Sequence, residues 1–132
     1  LAEDGILTRL FVATDGGAYF TGDVITFALS DKKYKDNVVC IDNAIEKICK
    51  IRGVSFDWNK EQNTYRGRDV GVIAQEIEKV LPEVVETRIS GKAVKYEKIT
   101  PLLIEAIKEQ QGVIETLMHR VNQLESAINK LQ

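Results

Sequence analysis

The sequence predicts an α+β chain, with short N-terminal β-strands, a small α/β core containing a β-hairpin, and a long C-terminal coiled-coil helix. Three observations carry this. Residues 1–29 set β-branched and aromatic residues between glycine turns, the middle alternates strand-like and helical apolar periods, and a heptad repeat runs from Leu103 to Leu131.

In the first stretch, Asp15-Gly16-Gly17 and Thr21-Gly22-Asp23 separate short strand candidates, which predicts a meander of small hairpins. Such strands cannot cover both faces alone, so they are expected to pair with copies of the chain or with sequence upstream. The chain begins at Leu1 without a methionine, which points to a piece of something longer.

From Val38 the period changes. Ile41, Ala44, Ile45 and Ile48 fall at i, i+3, i+4 and i+7, predicting an amphipathic helix that ends before Gly53. Val54, Phe56 and Trp58 alternate as a half-buried strand, and the polar run NKEQNTYRGR reads as a loop. Ile73, Ile77 and Val80 or Leu81 form one face of a short helix that Pro82 limits. Val84 to Ile89 and Lys92 to Glu97 flank Ser90-Gly91 as a hairpin. Thr100 is the expected N-cap of the last helix, with Pro101 at its first position, where a missing N–H costs nothing.

In that helix Ile107, Ile114, Val121 and Ile128 occupy a, and Leu103, Gln110, Leu117, Leu124 and Leu131 occupy d. Gln110 is the polar d residue and is expected to specify register. Arg120 at g and the following e residue, Glu125, fit a pairing between parallel chains. Ile or Val at a with Leu at d favours two strands on propensity alone, so the repeat predicts an oligomer without giving its number.

Composition bounds the partners. Eighteen Lys and Arg against twenty Asp and Glu leave a net charge of -2, which argues against nucleic acid or an anionic membrane as partner. No apolar run approaches the ~20 residues of a membrane span. Cys40 and Cys49 lie nine residues apart in a helical pattern, too far to bridge within one helix, and are expected as buried thiols. They lack a histidine partner, so no metal site is expected, and RGRDVG has too few glycines for a phosphate loop. His119 falls at heptad position f, facing solvent, and Trp58 reads as a core anchor. Gln75 and Glu76 read as helix-surface contacts or parts of a structural network.

Four segments carry a family resemblance: SDKKYKDNV at 30–38, IEKICKIRGVSFDW at 45–58, RGRDVGVIAQEIEKVLPEVV at 66–85, and KAVKYEKITPLLIEAIKEQ at 92–110. Together they resemble the C-terminal intramolecular chaperone domain of phage tailspikes, tail fibres and endosialidases, the self-cleaving peptidase S74 family. The likeness covers residues 30–115, and the departure at Lys33-Tyr34, where Arg-Leu is the expectation, largely keeps charge and bulk.

The resemblance implies an intertwined homotrimer. Residues 1–29 would be the end of the mature fibre or spike, 30–99 the α+β chaperone core, and 100–132 the coiled-coil helix. It implies two identical chains and the upstream fibre or spike domain as partners, host cytoplasm as the place of assembly, and no cofactor. The mature part would belong to the virion.

It also implies a catalytic dyad, with Ser30 as nucleophile and Lys35 as general base. A lysine amine serves as base only when neutral, and the lysine reference pKa of about 10.4 falls through desolvation or nearby positive charge. Lys32 and Lys33 would supply like charge if they stay close, though both read mostly as solvated charges, and apolar packing in the assembled trimer would supply the desolvation. Ring size selects the bond: attack of the Ser30 hydroxyl on the Leu29 carbonyl closes a five-membered ring, whereas attack on its own carbonyl needs four. Backbone N–H groups or Asn37 are the expected oxyanion donors. The result is a single-turnover self-cleaving serine endopeptidase cutting at Leu29-Ser30. The rival expectation is a structural trimerisation module that does not cut; a membrane-anchored transcription factor precursor, which also carries such a domain, is less favoured.

Overall fold

The computed structural model describes residues 10–12, 14, 17–62 and 64–132. The chain divides into two compact units, Leu1–Val38 with Phe56–Asp69, and Val39–Ser55 with Val70–Gln132.

In the first unit β1 (Leu10–Val12) pairs antiparallel with β2 (Ala18–Phe20), with Phe11 opposite Tyr19. The Asp15-Gly16 part of the expected turn lies outside the described residues. The meander stops after this hairpin, because residues 23–29 form no ladder and leave Ile25, Phe27 and Leu29 exposed. A strand needs a neighbour for its backbone groups, and among the described residues none pairs with these.

The second unit is built on two helices. α1 (Ala44–Cys49) packs along α3 (Thr100–Lys130), enclosing Ala44, Leu102 and Ala106 with Ile41, Ile45, Ile48, Ile51 and Leu81 around them. α1 is shorter than its periodicity predicts. Asn43 sits at φ 49° in the left-handed region, so the helix cannot extend back to Val38, although Ile41 still reaches the core. Asn43 provides no side-chain cap. Instead the Glu109 carboxylate on α3 accepts the N–H groups of Ala44 at 2.8 Å and Ile45 at 2.9 Å.

β3 (Gly53–Asp57) keeps the predicted alternation, with Val54 and Phe56 half-buried. It pairs with β4 (Arg68–Val72), a strand lying between the polar loop and the helix face that begins at Ile73 and not foreseen from the sequence. The run DVGV is too short to declare its period, and β3 supplies the partner that makes it a strand. α2 (Ala74–Val80) follows and covers the hairpin of β5 (Val85–Arg88) and β6 (Gly91–Val94), burying Ile77 and Val84. Arg88 faces Gly91, so the turn is Ile89-Ser90, one residue earlier than predicted, with Gly91 at φ 126°.

Thr100 does not cap α3. A 3-10 turn over Tyr96–Ile99 runs straight into the helix, so Ile99 at the cap position is already right-handed, whereas a capping side chain needs extended backbone. Pro101 is the second helical residue. Cys40 and Cys49 are free and exposed, contrary to the expectation of buried thiols, because the small core between α1 and α3 closes over Ala44 and Ile48 without them.

Two outcomes follow from this packing. Leu102→Ala empties the middle of the α1–α3 contact and costs about 2–5 kcal/mol, read as a lower urea midpoint. The N–H groups of Ile45 and Ala44 hold the Glu109 carboxyl below its ordinary 4.5, so its contribution is complete above that pH and lost as pH falls through the depressed value. Glu109→Gln therefore starts less stable at neutral pH, and its thermal midpoint falls less than the parent's on acidification.

Candidate active site

Ser30 and Lys35 stand at the two ends of a single 3-10 turn, Lys32–Tyr34. Tyr34 N–H donates to the Asp31 carbonyl at 3.2 Å and Lys35 N–H to the Lys32 carbonyl at 3.0 Å. Asp31 caps the turn, its Oδ1 accepting from Lys33 N–H at 2.9 Å. The chain leaves in extended backbone at Lys35 and turns again at Asn37, at φ 53°.

This geometry brings the Lys35 Nζ to 2.7 Å from the Ser30 Oγ, a direct hydrogen bond between side chains five positions apart. Both residues are exposed in the single chain, as is Leu29 at the other side of the Ser30 peptide bond. A hydroxyl joined to an amine next to a carbonyl two bonds from its own Cα is the local arrangement that an intramolecular acyl shift requires.

The neighbouring lysines Lys32 and Lys33 are both exposed. Lys33 Nζ lies 3.5 Å from Asp31 Oδ2 and 4.9 Å from the centre of the Tyr34 ring, so its charge is engaged by a carboxylate and an aromatic face. Asp31 is the residue sequence reasoning passed over, although aspartate directly before a helical turn is a strong capping signal.

The other singled-out residues have structural settings. Glu76 accepts from Arg52 N–H at 3.0 Å and its Nε at 2.8 Å, and these bonds hold the Glu76 carboxyl below its usual range. That is the structural-network reading; Gln75 is exposed. Trp58 is half-buried on the β3–β4 hairpin, stacked on Tyr65 at 4.7 Å and donating to Asp69 at 3.0 Å, so it anchors that hairpin and does not belong to the helical core. His119 is exposed and bonds Gln123 on its own helix.

Along α3 the heptad residues remain open. Leu103, Ile107, Ile114, Leu117, Val121, Leu124, Ile128 and Leu131 are all exposed, and Gln110 lies among them. Leu102, Ala106 and Glu109 take positions c, g and c and face α1. Ile104, Val113 and Met118 add exposed apolar groups at e and g.

Comparison with known proteins bears directly on this turn. Residues 30–86 match the model of the peptidase S74 family, described as the chaperone of endosialidase, and the match begins at Ser30. The chain belongs to this family. Among curated relatives, the long tail fiber protein Gp37 of Enterobacteria phage M1 is 34% identical over 95 residues, covering 67% of this chain and 38% of that protein. The Gp37 of Enterobacteria phage K3 is 33% identical over 109 residues, 75% of this chain and 8% of its own length. That of Salmonella phage S16 is 27% identical over 124 residues, 88% of this chain and 16% of its own length. The chain thus spans well under half of each of these relatives. Among the described residues no helix is long and apolar enough to cross a membrane.

Proposed function

We propose that this chain is the intramolecular chaperone of a phage tail fibre or tailspike, which trimerises, guides folding of the upstream fibre and then releases itself at Leu29-Ser30. The observation that carries this is the 2.7 Å bond between Lys35 and Ser30 at the first residue of the family match. In this reading residues 1–29 end the fibre, 30–99 form the chaperone core, and 100–132 form the stalk. Assembly takes place in the host cytoplasm, and the mature part enters the virion.

The reaction balances without a cofactor. Neutral Lys35 takes the proton of the Ser30 hydroxyl as Oγ attacks the Leu29 carbonyl carbon, closing a five-membered ring. Collapse breaks the Leu29–Ser30 C–N bond, the ammonium of Lys35 returns a proton to the leaving nitrogen, and the Leu29 acyl group is left as an ester on Oγ. Water hydrolyses the ester, giving a carboxylate at Leu29 and a free amine at Ser30. The neutral amine is the conditional part: in the single chain Lys35 stands in water, and its removal from water on assembly favours the uncharged form. Cutting then follows trimerisation.

Support for three chains comes from the width of the open seam. A strict a/d stripe suits the narrow contact of two helices, whereas Ile104, Val113 and Met118 at e and g broaden the apolar face of α3. Cleavage after assembly removes the element through which the fibre could unfold along its folding path, a kinetic stabilisation.

Denaturing intact-mass measurement over a day at neutral pH tests the reaction. The parent splits between Leu29 and Ser30, while Ser30→Ala and Lys35→Ala keep the full mass; full-length mass in all three would withdraw the self-cleaving reading and leave the trimerisation module. A second outcome concerns assembly. Ile114→Asp places a charge in the seam, so sedimentation shows the mass of one chain where the parent shows three, and cleavage slows by at least about tenfold because the desolvated dyad does not form.

A further inference from the structure

Five positions is an awkward separation for two side chains that must touch. In a strand it puts them on opposite faces, and in an α-helix it places them far apart around the circle. The contact of Ser30 with Lys35 therefore depends on the 3-10 turn between them. That turn has no buried residue, so no core packing holds it. Its two backbone bonds, at 3.0 and 3.2 Å, join exposed residues, and the side chain that ties it down is Asp31, through Lys33 N–H at 2.9 Å.

We propose that Asp31 is a positioning residue for self-cleavage, its side-chain oxygen on the Lys33 N–H holding the 3-10 turn that delivers the Lys35 amine to the Ser30 hydroxyl. This rests on the self-cleaving reading above. Asp31 acts here as an acceptor and not as a charge. The ion pair with Lys33 spans 3.5 Å between groups that are 50% and 64% exposed, and water weakens such a pair. Any short side chain with an oxygen at that place serves the turn, and a longer carboxylate does not.

The test is a time course of intact mass for the full chain between pH 6 and 9, in the parent, Asp31→Asn, Asp31→Ser, Asp31→Ala and Asp31→Glu, with sedimentation confirming equal assembly. Asn and Ser, which cap as well as Asp, leave the rate within about threefold and the pH–rate profile superimposed on the parent's, whereas Ala and Glu slow it by about tenfold or more. The charge-keeping variant thus fails where the neutral one succeeds, an order that loss of general stability would not produce. Cleavage of Asp31→Ala at the parent rate, or an Asn variant as slow as Ala, overturns the proposal. If the parent itself does not cut, the self-cleaving reading fails separately, and the positioning role is read from nuclear Overhauser contacts between Ser30 Hβ and Lys35 Hε. Contacts kept in Asp31→Asn and lost in Asp31→Ala uphold it; contacts indifferent to Asp31 overturn it.

Discussion

The second unit depends on one carboxylate. α1 has six residues, far too few to stand as a helix in water, and its cap residue Asn43 is left-handed with no side-chain bond to offer. Glu109 supplies what the segment lacks, taking the N–H groups of Ala44 and Ile45 at once from a helix 65 and 64 positions away. Negative charge at a helix start is favourable in itself, and here it also fixes where α1 lies along α3. Ala106 and Leu102, one and two turns earlier on the same face, then meet Ala44 and the isoleucines around it. Capping and packing reinforce each other.

Because α1 occupies the c and g side of α3 near its start, the a and d side is left open along the whole helix. A helix that is apolar on two faces has to cover both. One is covered from within the chain, and the open one explains why the chain's own core is small: Ala44, Ile77, Val84, Leu102 and Ala106 are its buried apolar residues among those described. Ile25, Phe27 and Leu29, just ahead of Ser30, are exposed as well. Ser30 and Lys35 meet within one exposed turn.

Much of this was legible in the residues. Strict alternation at Val54, Phe56 and Trp58 marked β3, the Ser90-Gly91 pair marked the β5–β6 hairpin to within one position, and the heptads marked α3, because each is a local period with a local cause. The positions of Ser30 and Lys35 were legible only through the family pattern, since a serine and a lysine five apart carry no signal of their own. Asp31 was legible in principle, as a capping residue before a turn, and was passed over beside the louder run of lysines.

What failed turned on neighbours that no local period announces. DVGV becomes β4 because β3 is beside it, Thr100 loses its capping role because a 3-10 turn feeds the helix, and Cys40 and Cys49 are exposed because the core closes elsewhere. No period or motif announces that Glu109 will cap α1. By itself the sequence determined β3, the β5–β6 hairpin, α3 and its open heptad face, since these follow from side-chain spacing and backbone preference, and it pointed to Ser30 and Lys35 through the family pattern alone. Only the tertiary structure decided which backbone groups Glu109 satisfies, where α1 begins and how Lys35 meets Ser30, because a hydrogen bond is made by atoms close in space and sequence separation carries no distance.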